Sequence, residues 1–172
     1  MQPTKDTPKA YLLSLKKVFL ILFLTLFGLF SFLTFSRLQD SSTPGLKQNV
    51  KSITINNKTV FVNLAQSPEE KAQGLSGKKS LKSNEGMLFV FDNKTYPAFW
   101  MKDMHFAIDI IWISDGQIVS INENVAPEPG KPLTKLSLYR PPVGIDYVLE
   151  TKAGFCKENA IQVGNSIDLS AI

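Results

Sequence analysis

The sequence predicts an α+β fold that is mainly β: a compact bent or barrel-like antiparallel sheet with one or two short helices, preceded by one transmembrane helix. Three observations support this prediction. Short apolar runs alternate with turn-forming residues along most of the chain, one segment carries the start and stop signals of a helix, and one early uncharged run is long enough to cross a membrane. The 172 residues therefore hold one ordinary domain and an appendage.

The appendage is the uncharged run VFLILFLTLFGLFSFLTF at residues 18–35. A helix rises about 1.5 Å per residue, so this run covers roughly 27 Å, nearly the thickness of a bilayer core. The run is longer than the apolar part of a typical signal peptide, and no A-x-A cleavage pattern follows it. We therefore predict an uncleaved signal anchor that spans the membrane over residues 18–36, with a cleaved signal peptide as the alternative.

The charge distribution predicts how this anchor is oriented. Residues 1–36 carry four lysines and one aspartate, whereas residues 37–172 carry fifteen basic and fourteen acidic side chains. Basic residues remain on the cytoplasmic side of a membrane, so residues 1–17 are predicted to be a cytoplasmic tail. The polar linker 37–49 then holds a domain of residues 50–172 in the periplasm or at the cell surface. This nearly neutral domain lacks the basic surface expected of a nucleic-acid-binding protein, and no nucleic-acid partner is predicted.

The outer domain begins with a predicted hairpin and a helix. Asn56 and Asn57 separate two alternating apolar runs, and asparagine tolerates the positive φ of a tight turn. In SPEEKAQG, Ser67 is the predicted N-cap, Pro68 the first helical residue and Gly74 the stop. The sequence therefore predicts two antiparallel strands followed by a two-turn helix.

Six further strands are predicted from apolar runs, which in chain order read MLFVF, PAFWM, IDIIWIS, QIVSINENV, DYVLETKAG and NSIDLS. Asp115 and Gly116 mark a second hairpin between the third and fourth of these runs. Residues 126–144 interrupt the pattern with five prolines, and so long a segment is either functional or mobile. FCKENA is predicted to be a single helical turn. Eight short strands with one clear helix exclude a doubly wound α/β fold, which needs several long helices.

Several linked motifs resemble a known family. These are GLSGKKSLKSNEGMLFVF, FWMKDMHFAIDIIWISDGQIVSI, ENVAP, YVLETKAG and a downstream I-x-V-G-N. In this order they are similar to the domain of unknown function 192 family of bacteria and archaea, over roughly Val50 to Leu169. The resemblance implies a β-rich fold, often exported or membrane-tethered, with no established activity. The family commonly reads W-M-K-N-T followed by P-L-D-I, from which this chain departs at Asp103, Met104 and Ala107.

One enzymatic interpretation of the segment around Trp100 remains open. Read as a continuous strand, the segment sets Asp103, His105 and Asp109 on one face, which suits a hydrolase or lyase acting on sugar or cell-wall material. The proline that the family commonly has at position 107 indicates a loop instead. The chain has one histidine and one cysteine, fewer than zinc sites normally use, so no metal and no cofactor are predicted.

Two non-enzymatic interpretations stand beside it. In the structural one, Asp109 bridges the loop backbone, Lys102 or another basic side chain neutralises it, and Trp100 fills the core. In the other, Trp100, Lys102, Asp103, Asp109 and Glu150 form a pocket for a sugar or another polar small molecule. We expect a membrane-anchored binding or envelope-associated module without assigned catalytic residues. Its expected partners are the membrane and a polar small molecule or an envelope component.

Overall fold

Paired asparagines form the first turn, as the sequence predicts. The computed structural model describes residues 50–172, in which strands β1 (Val50–Ile55) and β2 (Lys58–Ala65) form an antiparallel pair. Asn56 and Asn57 between them have φ values of 46° and 61°. Both central residues of a type I′ hairpin turn need this left-handed conformation, so the predicted hairpin is confirmed.

The predicted cytoplasmic tail, transmembrane anchor and linker, residues 1–17, 18–36 and 37–49, lie outside the described residues. Within residues 50–172, no helix combines the length and the apolar character needed to cross a membrane.

Helix α1 (Pro68–Gln73) has the predicted cap. The Glu70 backbone N–H donates to Ser67 Oγ at 3.1 Å, and the Ser67 backbone N–H donates to Glu70 Oε2 at 2.9 Å. The helix ends at Gly74, whose φ of 49° and ψ of −133° suit glycine alone. The helix buries none of its own side chains, so its main effect is to direct the chain from β2 towards the next strand.

The other elements are β3 (Glu85–Thr95), β4 (Ile108–Ser114), β5 (Gln117–Val125), β6 (Ile145–Lys152), α2 (Phe155–Glu158) and β7 (Ile167–Asp168). The described strands form one seven-stranded sheet in the order β5-β4-β6-β3-β2-β1-β7. An antiparallel bridge between Gln117 and Ser166 joins the two edges of the sheet. The sheet is therefore bent and barrel-like, and the prediction of a mainly β, α+β domain is confirmed.

Two details of the predicted sheet are wrong. Strands β2 and β3 are parallel, because the crossover through α1 returns the chain to the same end of the sheet. The predicted strand PAFWM is a loop: β3 continues to Thr95, and residues 97–101 contribute only one isolated bridge, from Phe99 to Tyr139. In that bridge each backbone N–H donates to the other residue's carbonyl at 2.9 Å. The apolar character of this run reflects a loop that packs on the core.

The proline-rich segment 126–144 is held together by Glu128. The carboxylate accepts hydrogen bonds from Lys131 Nζ at 2.6 Å, Ser137 Oγ at 2.7 Å and the Ser137 backbone N–H at 2.9 Å. These bonds, above all that from Lys131, lower the pKa of Glu128 to about 2. The segment therefore has a defined conformation, which presents Tyr139 to Phe99.

Two apolar clusters cover opposite faces of the sheet. Strand β4 shows the division, because all seven of its residues are buried while successive side chains point to opposite faces. Ile111 packs in a cluster with Phe155, which we call the α2-side cluster, whereas Ile110 and Trp112 pack in a cluster with Leu75, the α1-side cluster. A strand covered on both faces reads as a nearly continuous apolar run, as β4 does apart from Asp109 and Ser114.

Candidate functional site

The loop before β4 divides its side chains between the core and the solvent. Met101 and Met104 are buried, whereas Lys102, Asp103 and His105 are exposed. The φ of Asp103 is 55°, a left-handed conformation that no continuous strand contains. The period of two that would set Asp103 and His105 on one face with Asp109 is therefore broken, as the loop interpretation expects.

The backbone of Lys102 and Asp103 fixes this loop to the segment after α1. Ser76 Oγ donates to the Lys102 carbonyl at 2.8 Å, and the Gly77 N–H donates to the Asp103 carbonyl at 2.9 Å. The two side chains point to solvent, with Lys102 Nζ 3.7 Å from Asp103 Oδ2 and exposed fractions of 46% and 70%. An ion pair so exposed contributes little to stability.

Asp109 is fully buried, and its carboxylate binds backbone N–H groups. Its carboxylate accepts hydrogen bonds from the backbone N–H groups of Asn124 at 2.9 Å, Gly154 at 3.3 Å and Cys156 at 2.9 Å. It thereby ties β4 to the end of β5 and to the start of α2. The structural interpretation expected Asp109 to bridge the backbone of its own loop with Lys102 as a partner; the carboxylate instead accepts from backbone groups of β5 and of the start of α2. Burial raises the pKa of the neighbouring Cys156 thiol, which makes that thiol a poor nucleophile.

Asp109 and Glu150 lie on adjacent strands but face opposite sides of the sheet. Asp109 pairs with Thr151, and its neighbour Ile110 pairs with Glu150. Side chains that face each other across a strand pair share one face, so Glu150 lies on the α1 side with Ile110, while Asp109 lies on the α2 side. The structure therefore does not bring the five predicted pocket residues together.

A cavity of about 270 Å³ on the α1 side contains two of those five residues, Trp100 and Glu150. It lies between the end of α1, strand β3 and the loop before β4, and aromatic rings form much of its wall. Its lining residues are Lys71, Ala72, Gln73, Gly74, Leu75, Ser76, Phe89, Phe91, Pro97, Ala98, Phe99, Trp100, Met104 and Glu150. The structure thus builds the candidate site mostly from residues outside the predicted set.

The two tryptophans of the chain have different positions. Trp112 is fully buried, and its Nε1–H donates to Asn122 Oδ1 at 2.7 Å. Trp100 is 44% exposed and borders the cavity. The interpretation in which Trp100 fills the core is wrong, because Trp100 is partly exposed and the tryptophan in the core is Trp112. Trp100 is instead available to a molecule that enters the cavity.

Glu150 is the buried ionisable group of this cavity. Glu150 is only 5% exposed, and its Oε2 accepts no hydrogen bond from the residues that the structure describes. Burial raises the pKa of Glu150 to about 8, so the carboxyl is mostly protonated near neutral pH. A buried carboxyl group without a protein partner is costly, and strongly shifted carboxyl groups in cavities are typical of functional sites.

The aromatic wall is held by packing on the core. The Phe99 ring meets Phe89 and Trp112 edge to face, with centroid distances of 4.8 and 5.4 Å. At the cavity, Lys71 Nζ lies 4.8 Å from the centroid of the Phe91 ring. Sequence reasoning missed these aromatic residues and Lys71 as site residues. The available signal was the spacing of two between Phe89 and Phe91 in an apolar strand, which sets both on one face.

The described residues contain no group of three or more histidine, cysteine, aspartate or glutamate side chains arranged to hold a metal ion. His105 is exposed on the loop, and the carboxylate of Asp109 is already occupied by backbone donors on the other face of the sheet. The cavity that Glu150 lines has one other titratable lining residue, Lys71.

Comparison with known proteins gives a family and a fold. The family model of DUF192, described as "Uncharacterized ACR", matches residues 51–169. A protein from Sinorhizobium meliloti 1021, described as a candidate transcription regulator, has a similar structure with a TM-score of 0.66 and 25% identity. The similarity covers 74% of this chain and 98% of that one.

A second similar structure is a protein of unknown function from Novosphingobium aromaticivorans DSM 12444. It has a TM-score of 0.65 and 22% identity, and the similarity covers 73% of this chain and 89% of that one. None of the curated proteins matches this chain significantly.

Proposed function

Since this chain belongs to the DUF192 family of uncharacterised proteins, we propose that it is a binding module that takes a small molecule into the cavity above Glu150. The observation that carries this proposal is a buried carboxyl oxygen that has no hydrogen-bond partner among residues 50–172, in a residue that lines an aromatic cavity. Ligand sites in proteins are typically concave, mostly apolar and equipped with a few polar groups that orient the ligand. Trp100 and the phenylalanines supply the apolar wall here, and Glu150 supplies the orienting group.

The proposed module is anchored in the membrane and faces away from the cytoplasm. The support is in the sequence: the uncharged run 18–35 has the length of a membrane span, and the lysines before it favour a cytoplasmic tail. In that position the cavity would meet small molecules or polymer fragments of the cell envelope.

A regulatory role in transcription is not part of this proposal. The described domain carries thirteen basic and thirteen acidic side chains in residues 50–172, whereas proteins that bind nucleic acid electrostatically present an excess of basic residues. Hydrolase or lyase chemistry through Asp103, His105 and Asp109 also lacks support from the geometry. The carboxylate of Asp109 is buried and accepts hydrogen bonds from backbone N–H groups, while Asp103 and His105 are exposed to solvent.

A ligand screen tests the binding function. A fragment of residues 47–172, which contains all of the described domain, is mixed with glycosides, alcohols, amines and short acids. A molecule present at about 100 times its Kd stabilises a folded protein by about 2.7 kcal/mol, so we expect a hit to raise the Tm of the fragment by about 10 °C. The same hit should change Trp100 fluorescence, because Trp100 borders the cavity while Trp112 is buried.

Trp100→Ala should weaken binding of that hit by about tenfold or more, since stacking on an aromatic ring is lost. Phe61→Ala is the matched control, because Phe61 is 46% exposed, close to the 44% of Trp100, and does not line the cavity. Equal losses in the two variants, or hits that leave Trp100 fluorescence unchanged, would contradict binding in this cavity.

Limited proteolysis tests the proposed orientation. Arg37 and Lys47 offer trypsin sites in the linker 37–49, so trypsin added to spheroplasts should release the folded domain as a fragment. Inverted membrane vesicles should protect the domain, because their lumen corresponds to the outside of the cell. Release from inverted vesicles but not from spheroplasts would place the domain in the cytoplasm and overturn the orientation.

A further inference from the structure

We infer that the ligand of the Glu150 cavity is an organic ammonium ion, a primary or secondary amine with an apolar body. This inference rests on the proposed function and names the class of molecule that the site takes. Three features of the described residues carry it: the kind of partner that Glu150 lacks, the affinity of the aromatic wall for positive charge, and the place of the one lysine at the cavity.

The first feature is the unpartnered oxygen. Glu150 Oε2 is buried and accepts no hydrogen bond from the described residues, and the opposing side chains on β3 and β4 are Met87 and Ile110, which donate none. When the carboxyl is ionised it can only accept hydrogen bonds, so a ligand group that donates one would satisfy this oxygen. An ammonium group donates and also carries the charge that complements a carboxylate.

The second feature is the wall. The cavity is lined by Phe89, Phe91, Phe99 and Trp100, and the face of an aromatic ring attracts cations through its quadrupole. Lys71 already shows this property, because its Nζ lies 4.8 Å from the centroid of Phe91. An anionic ligand would lack that attraction to the rings, and among the lining residues Lys71 would be its only cationic partner.

The third feature is the separation of charges at the cavity. Among its lining residues, all within the described part of the chain, Lys71 and Glu150 are the titratable ones. Lys71 extends from α1 and is half-buried, whereas Glu150 is almost fully buried in β6. No positive side chain of the described residues makes a hydrogen bond or salt bridge with Glu150, so these residues supply no cation to the ionised carboxylate, and a ligand ammonium group would do so.

Three probes with one skeleton test the inference: phenethylammonium, 2-phenylethanol and phenylacetate. Calorimetric titration of the 47–172 fragment at about pH 7 should show phenethylammonium binding at least about tenfold more tightly than either of the others. Because the carboxyl must ionise to pair with the cation, binding should release about 0.9 proton, measured by comparing buffers of different ionisation enthalpy. The affinity should rise about tenfold between about pH 6 and pH 7 and level off above about pH 8.

Glu150→Gln should remove the preference for the ammonium probe and the proton release, while Asp103→Asn, which removes an exposed carboxylate outside the cavity, should change neither. If 2-phenylethanol or phenylacetate binds as tightly as phenethylammonium to the unsubstituted fragment, or if no proton is released, the ammonium inference is wrong and small-molecule binding stands. If none of the probes binds at millimolar concentration, the ammonium inference is overturned, whereas the binding function itself falls only if the broader ligand screen also finds no hit. The proton measurement uses the unsubstituted fragment, so it does not depend on the folding of any variant.

Discussion

Asp109→Asn is expected to lower the free energy of unfolding of the 47–172 fragment by about 3 kcal/mol, and its Tm by about 10 °C. The carboxylate accepts three backbone N–H groups, from Asn124, Gly154 and Cys156. An amide presents one acceptor oxygen and an NH₂ group, which must face at least one of these donors. A buried donor left without an acceptor costs about 1–3 kcal/mol, and the β4, β5 and α2 contacts would all be weakened.

Asp103→Asn is the matched control for this substitution. It makes the same chemical change six positions earlier in the chain, at an exposed residue whose φ of 55° asparagine tolerates. We expect its effect on stability to stay within about 0.5 kcal/mol. Urea denaturation of both variants measures the difference, and a comparable loss in the two would refute the structural role of Asp109.

Glu150→Gln is expected to stabilise the ligand-free fragment at alkaline pH. Burial raises the pKa of Glu150 from its usual value of 4.5 to about 8 in the folded state. Between these values the folded protein holds a proton that the unfolded chain has released, so stability falls as pH rises. The stabilising effect of that proton is complete below about pH 4.5 and lost above about pH 8. One unit of pKa corresponds to about 1.4 kcal/mol, so the loss amounts to several kcal/mol.

Urea denaturation from about pH 4 to pH 9 measures the free energy of unfolding of the variant and of the unsubstituted fragment. The quantity compared is the variant's value minus that of the unsubstituted fragment at each pH. This difference cancels the contributions of the groups common to both proteins. We expect the difference to grow with pH in favour of Glu150→Gln and to reach a plateau near pH 8. A flat difference curve would show that Glu150 ionises at an ordinary pH and would remove one support of the proposed binding site.

The two carboxyl groups illustrate how stability and function separate in this fold. Asp109 has its oxygens occupied by backbone groups and stabilises the junction of three elements. Glu150 has an oxygen without a partner in the described protein and destabilises the fold as it ionises. A protein retains such a destabilising group most readily where a ligand compensates for it, because function often costs stability at the site that performs it.

Local chemistry made several parts of the structure predictable. The asparagine pair, the capping box around Ser67 and the Asp115–Gly116 turn act over a few residues, and each forms where the sequence placed it. Strand pairing requires a glycine at position 86, since a Cβ there would lie 2.9 Å from the Glu150 carbonyl oxygen. The PAFWM run was wrongly predicted, because apolar alternation does not distinguish a strand from a loop packed on the core.

The sequence by itself determined the class of fold, the hairpins and helix caps, and the family. It also singled out Trp100, Asp109 and Glu150. Tertiary structure alone decided which of these residues share a cavity, because pairing between β4 and β6 sets Asp109 and Glu150 on opposite faces. It also brought Lys71, Phe91 and Phe99 from three separate segments to Glu150. Turn and cap signals depend on neighbouring residues, whereas a cavity depends on strand order and register, which link residues far apart in the chain.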